Sequence, residues 1–239
     1  FTRKDSQSIL YYIYNLCIRF SVIQKKQNKI LWNGLNCLHY AASRVGALDL
    51  KFYSKNVNFN LDKLYSLSNQ NKLELIYLLG VDQIDVKKLT KSFVIYQGHH
   101  GDFGAEYSDV VLPGSTYSEK NAIYVNTEGR AQTTFKACNP PGLAKEDWKI
   151  IVSIGRKLKK KFEYYSLEDV RKRLIKENSN FFLSQKKNIE NKFFKFGKKG
   201  KLLKEKFNLP IDDFYLTDAI TKSSKVMKKC SKELKVNNK

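Results

Sequence analysis

Residues 92–132 constrain this chain most, because they set two short apolar segments on either side of a glycine-rich turn. The first, Phe93 to Tyr96, mixes aromatic and β-branched residues and stops at Gly98. No polar residue alternates through it, which predicts a buried strand rather than a half-solvated one. Asp109 to Leu112 has the same character and ends at Pro113-Gly114, a strand followed by a stop. Between them Gly98, Gly101 and Gly104 allow a sharp turn into a helix too short to be stable alone. Beyond them a hairpin is expected to close near Thr127-Glu128-Gly129, with Gly129 at positive φ.

The rest of the chain reads as helices and strands arranged around that stretch. Residues 5–25 are expected to form a first helix, with Ile9, Ile13, Leu16, Cys17 and Phe20 on one apolar face. Residues 24–33 read as a polar break. Leu35, Leu38, Ala42 and Val45 predict a second helix ending near Gly46, on which His39 is a packing residue. Residues 56–71 read as a loop or weak helix. Leu73 to Leu79 then predicts a buried strand that stops at Gly80-Val81-Asp82. That strand and the one at Phe93, joined by a helical crossover, would make a parallel unit. After the rigid stop 139–142, Trp148, Ile151, Val152, Gly155 and Leu158 mark another helix. Its acidic start at Glu146 and Asp147 and its lysine-rich end complement the helix dipole. A short helix is expected from Ser166, then a weakly structured basic stretch over 181–206. The final helix carries a narrow seam of Ile220, Met227, Cys230 and Leu234.

The residues that invite a chemical reading have plainer alternatives. A glycine turn after a strand is where α/β folds bind ligands, so a nucleotide or pterin crevice is one reading of 92–114. Asp82 could hold a ribose hydroxyl there, and reads more simply as a turn or cap aspartate. His99 and His100 are adjacent, which suits a turn pair better than a metal site. Glu119 and Glu128 could be an acid–base pair, but local ion pairs with Lys120 and Arg130 are the simpler expectation. Cys138 has no basic partner at fixed spacing to activate it. Cys17, Cys37, Cys138 and Cys230 lie far apart with no paired spacing. An iron–sulfur or zinc site within the chain is therefore not expected, and buried free thiols are preferred to disulfides. Phe193, Phe194 and Phe196 sit among lysines, a pattern suited to single-stranded nucleic acid or to a loop pinned on a partner.

Composition bears on the same choice. The chain has 239 residues, 42% of them hydrophobic and 13% aromatic, enough for a real core. No apolar run is long enough to span a membrane. The net charge of +21 would suit an anionic partner. Scattered lysines and heavy use of Lys, Asn, Ile, Phe and Tyr fit compositional drift in an A/T-rich genome better.

Tyr96-Gln97-Gly98-His99-His100-Gly101-Asp102, Asp109-Val110-Val111-Leu112-Pro113-Gly114 and Tyr124 to Gln132 (YVNTEGRAQ) together resemble one family. They resemble the molybdopterin-oxidoreductase-like region of the large iron–sulfur (75 kDa) subunit of respiratory complex I, NADH:ubiquinone oxidoreductase. The DVVLP and NTEGR-Q elements are similar to those of formate dehydrogenases and nitrate reductases, while the His-His-Gly-Asp turn resembles the complex I branch. Arg3-Lys4-Asp5, the segment from Trp32 to Leu50, the run from Pro140 to Ile151 and the ending from Asp213 to Cys230 extend the likeness.

The resemblance implies an α/β fold: a partial molybdopterin-oxidoreductase-like domain with parallel strands over 1–160, followed by a lysine-rich helical extension with a docking helix over 161–239. It implies a structural part of the complex I peripheral arm, within an enzyme that passes electrons from NADH to ubiquinone. No catalytic, cofactor-binding or metal-binding residue is expected in this chain, and the iron–sulfur clusters are expected on a partner polypeptide. The expected partners are the cluster-bearing N-terminal part of the same subunit and other peripheral-arm subunits. The chain has no initiator Met and resembles the C-terminal part of a subunit whose remainder is cut off or separately encoded. The expected place is the matrix side of the mitochondrial inner membrane, with membrane association only through the complex, and mitochondrial encoding is expected. The alternatives are a fragment of a cofactor-binding molybdopterin oxidoreductase and a basic organellar nucleic-acid-binding protein.

Overall fold

A computed structural model of the chain describes all residues except 1–2, 27–28, 40, 42–43, 56–58, 82–83, 102, 182–196, 208–210, 212 and 238–239. Asp82, Asp102, Phe193, Phe194 and Phe196 therefore lie outside the described residues.

The organising element is a three-stranded parallel sheet in the order β3 (Leu75–Leu79), β4 (Phe93–Gly98), β5 (Val110–Pro113). Its register pairs Leu75 with Phe93 and Leu79 with Gln97, then Ile95 with Val110 and Gln97 with Leu112. Side chains alternate across a strand, so Ile76, Leu78, Val94 and Tyr96 share one face. They pack with Ile84, Val86 and Leu89 from the β3–β4 connection, and with Leu64 and Tyr65 of α3 (Leu61–Asn69). Asn60 starts α3 by accepting a hydrogen bond from the Lys63 N–H at 2.9 Å. Among its described residues the connection forms a 3-10 turn at Val86–Lys88, where a helical crossover is expected. The short helix after the glycine turn is α4 (Phe103–Tyr107).

The opposite face departs from the expectation of doubly buried strands. Leu75 is 54% exposed and Phe93 47%, because the described chain covers that face only in part.

Around the sheet, α1 (Ser6–Arg19) is shorter than expected. It leads into an antiparallel hairpin, β1 (Ile23–Lys26) and β2 (Lys29–Asn33), where the sequence predicts a polar break. Ile23, buried at 2%, anchors it. The predicted helix over 35–46 is also displaced, since α2 is Arg44–Asp49. The expected second hairpin forms from β6 (Ala122–Val125) and β7 (Ala131–Thr134). Gly129 there has φ +82°, and the Asn126 side chain accepts from the Glu128 and Arg130 N–H groups at 3.0 and 2.9 Å.

The helices α5 (Asp147–Lys157) and α6 (Leu167–Glu177) stand where the periodicity puts them. Ser166 and Asp169 cap α6 reciprocally. The predicted final helix is divided into α7 (Ala219–Ser223) and α8 (Lys225–Asn237), with extended backbone at Ser224 between them. Among the described residues, no helix is long and apolar enough to cross a membrane.

Residues 197–207 run along α1. The Lys198 N–H donates to the Gln7 carbonyl at 3.1 Å, and the Leu203 N–H donates to Asp5 Oδ2 at 2.8 Å. Arg3 grips the same segment, donating to the Leu203 carbonyl at 3.1 Å and lying 4.8 Å from the Phe207 ring centroid.

Candidate functional site at the carboxyl ends of the strands

The parallel strands end together at Leu79, Gly98 and Pro113. Close behind that rim is Gln97, fully buried and therefore required to satisfy its amide internally. Its oxygen accepts from the Tyr77 hydroxyl, one strand over, and its nitrogen donates to Asp147 Oδ1 at 2.8 Å. Asp147 opens α5, which is drawn to the sheet by a parallel bridge between Gly114 and Lys145. The Ser115 N–H donates to the Lys145 carbonyl at 3.0 Å, and the Lys145 N–H to the Pro113 carbonyl at 3.1 Å. The second oxygen of Asp147 takes Lys120 Nζ at 2.6 Å.

Tyr77, Gln97, Asp147 and Lys120 therefore form one chain of hydrogen bonds across β3, β4, α5 and the segment before β6. Lys120 does not pair with its neighbour Glu119, as sequence proximity suggests. Glu119 accepts instead from the Thr116 N–H at 3.0 Å. Among the described residues no ion pair joins Glu128 to Arg130, and Glu128 lies in the hairpin turn, so no acid–base pair is assembled from Glu119 and Glu128.

His99 and His100 follow directly, their Nδ1 atoms 2.6 Å apart. At that separation one imidazole donates and the other accepts. Partial burial, then His100 and Lys120, hold the His99 imidazole below its usual value, against the opposing pull of Asp147 and Glu119. The pair is a turn pair held by each other's ring nitrogens. Among the described residues no group of three or more His, Cys, Asp or Glu is placed to hold a metal ion. The four cysteines are free thiols, but none is fully buried as expected: Cys17, Cys37 and Cys230 are half-buried and Cys138 is exposed.

A dinucleotide at this rim would need open backbone near the glycines and net positive surroundings for its phosphates. Gly80 and Gly101 have open space where a Cβ would stand, but the two glycines beside the network do not. A Cβ on Gly98 would come within 2.2 Å of the Tyr96 hydroxyl, so the Tyr96 ring fills the space over that glycine. A Cβ on Gly114 would meet Asp147 Oδ1 at 3.1 Å. Beside Gly114 the rim thus presents a carboxylate, and Lys120 is already committed to it. At Gly98 and Gly114 the residues present do not fit the close approach of a phosphate. What the arrangement does is tie α5 to the sheet.

Sequence reasoning places Gln97 in a motif and reads Asp147 only as a helix-dipole residue, so it misses the network they make. The available signal is a glutamine ending an otherwise apolar strand, which must be satisfied once buried.

Beside the network lies a groove of about 560 Å³, walled by α2, α6, β6 and the start of α5. Phe52, Leu79, Tyr124, Trp148 and Leu167 line it, with Arg171 at its wall.

Comparison with known proteins bears on these observations. The family described as molybdopterin oxidoreductase matches residues 1–157. The C-terminal family of the G subunit of NADH-ubiquinone oxidoreductase matches residues 177–230. The chain is 42% identical over 237 residues to the mitochondrial NADH-ubiquinone oxidoreductase 78 kDa subunit of Candida albicans, covering 95% of this chain and 31% of that protein. It is 42% identical over 230 residues to the G subunit of NADH-quinone oxidoreductase from Rickettsia conorii, covering 96% and 32%. The NADH-ubiquinone oxidoreductase 75 kDa subunit of Reclinomonas americana is 41% identical over 248 residues, covering 98% and 33%. The chain thus spans about a third of the length of the curated relatives it matches.

Proposed function

The chain belongs to the molybdopterin oxidoreductase family and is a homologue of the complex I 75 kDa subunit, and from that premise we propose that it is a structural part of the peripheral arm of respiratory complex I. In this reading it braces the arm while electrons pass from NADH to ubiquinone through iron–sulfur clusters on neighbouring polypeptides. It supplies no catalytic residue and binds no cofactor of its own. Residues 1–160 act as the packing domain, and residues 161–239 as a basic extension that docks it. Its partners are the cluster-bearing part of the same kind of subunit and other subunits of the arm. Its place is the matrix side of the mitochondrial inner membrane.

The observation that carries the reading is the likeness to the 75 kDa and G-type subunits, which runs along nearly the whole chain and through both matched regions. The Tyr96 ring against Gly98 and the Asp147 carboxylate beside Gly114 support the absence of a cofactor at those two turns. The accessible surface points the same way. It is 18670 Å², against roughly 11,000 Å² for a compact monomer of this mass, so much of this surface is available for packing against other chains.

The test is to isolate the chain from its native membranes in mild detergent, identify what accompanies it by mass spectrometry, and assay iron and molybdenum. NADH-oxidising, iron-rich material with a cluster-bearing polypeptide and no molybdenum is the expected outcome. Stoichiometric molybdenum would overturn the reading in favour of a pterin enzyme. Ribosomal proteins or RNA would overturn it in favour of a nucleic-acid partner.

A further inference from the structure

Parallel sheets are ordinarily covered on both faces. Here the face that carries Leu75, Leu79, Phe93 and Val110 is covered only in part, with exposures of 54, 39, 47 and 37% at those four residues. At Leu79 this face runs on into the 560 Å³ groove between α2, β6 and α6. The groove wall is apolar except for a few charged groups. Lys120, Asp147 and Glu146 are already engaged: Lys120 with Asp147 at 2.6 Å, and Glu146 with the Trp148 Nε1–H at 2.9 Å. Arg171 differs from them. The residue is half-buried, and its Nη2 is buried with no acceptor among the described residues, a donor left unsatisfied at the groove wall.

We propose that this groove and the adjoining sheet face seat an apolar segment bearing a carboxylate, supplied by the polypeptide that corresponds to the remaining two thirds of the relatives' length. Two observations fix that chemistry. The open side chains are aliphatic and aromatic, so the segment buries its own apolar side chains against Leu79, Tyr124 and Trp148. The planar fork of Arg171 is matched by a carboxylate, which accepts two parallel hydrogen bonds and brings the unsatisfied nitrogen an acceptor. The source follows from coverage. The relatives carry about two thirds of their length outside the matched part, and an open parallel sheet needs such a neighbour. This inference rests on the proposed place in complex I and names the contact by which the chain is held there.

The test compares the free full-length chain with the same chain in the native detergent-solubilised assembly. Hydroxyl-radical footprinting reads Phe52, Leu79 and Trp148, phenylglyoxal reads Arg171, and acid–amine cross-linking from Lys120 and Lys172 identifies the neighbour. We expect reactivity at all four positions to fall at least fivefold in the assembly, with cross-links to acidic residues of the cluster-bearing polypeptide. In the full chain, Arg171→Met should lower recovery of that polypeptide at least tenfold while leaving thermal unfolding of the free chain within a few degrees, and Arg171→Lys should restore part of it. An assembly recovered with the groove as reactive as in the free chain would overturn this inference and leave the proposed function standing. Cross-links to a second copy of the chain, or to a subunit of another kind, would overturn the assigned occupant. Failure to recover any iron-bearing assembly would overturn the proposed function and this inference with it.

Discussion

Gln97 sets the tightest requirement of any single residue, because a fully buried amide tolerates no missing partner. Replacing Asp147 with Ala leaves the Gln97 Nε2–H unsatisfied, a loss we expect to cost about 1–3 kcal/mol in urea unfolding. Asp147→Asn keeps an acceptor in place and should cost less. Equal effects of the two substitutions would mean the network is incidental. Gly98 is constrained by space, not by charge. A methyl group there would sit 2.2 Å from the Tyr96 hydroxyl, and Tyr96 is 2% exposed in the core. Gly98→Ala should destabilise the chain by about 1–3 kcal/mol through overpacking, and Gly98→Ala combined with Tyr96→Phe should recover part of that loss by removing the atom in closest conflict. The glycine is legible in the sequence as a turn residue. The ring that makes it necessary is not, because the tyrosine lies two residues away on the same strand face and nothing in a linear reading says it folds forward along the strand.

At the scale of elements, legibility follows how local the cause is. The strands β3, β4 and β5 and the helices α5 and α6 are readable because apolar runs, a capping serine at Ser166 and a glycine at Gly129 act within a few residues. The hairpin β1–β2 is not, since its polar strands are held by pairing with each other and by the buried Ile23, neither of which leaves a hydrophobic period. The segment 197–207 reads in sequence as part of a basic stretch, yet it is fastened to α1 by contacts some two hundred residues apart in sequence. Arg3, through two hydrogen bonds, and the Leu203 N–H hold the Asp5 carboxyl well below the usual carboxylate range. A carboxylate with a depressed folded-state pKa stabilises the fold above its unfolded value of about 3.9, and that contribution is lost as pH falls further towards the folded pKa. We therefore expect the melting temperature of the wild type to exceed that of Asp5→Asn at pH 6, and the gap to close as pH is lowered below 4. Hydrogen exchange in 198–207 should quicken in the variant at pH 6. A gap that persists unchanged to pH 2 would show that the carboxylate's charge is not what fastens the segment.

At the scale of the whole molecule, charge and apolar surface give competing accounts of what this chain meets. If the +21 were the message, the isolated chain should hold single-stranded RNA firmly at physiological salt. If it is compositional drift, binding should be weak there, in the range of about 1–100 μM typical of purely electrostatic association, and should fall steeply with added salt. A nanomolar affinity at physiological salt would decide for the charge. The apolar account makes a measurement of its own. The slope of unfolding free energy against urea scales with the surface that unfolding exposes. A chain of 27.8 kDa that already exposes 18670 Å² gains less new surface on unfolding than a compact monomer would, so its slope should be lower by roughly a quarter. Apolar dye binding by the folded chain should be correspondingly high, and Leu75→Ser with Phe93→Ser should lower it without loss of the core, whose side chains point the other way through the sheet. A slope equal to that of a compact domain of the same length would mean that the open face closes on itself in solution. The neighbour inferred from that face would then have nothing left to cover.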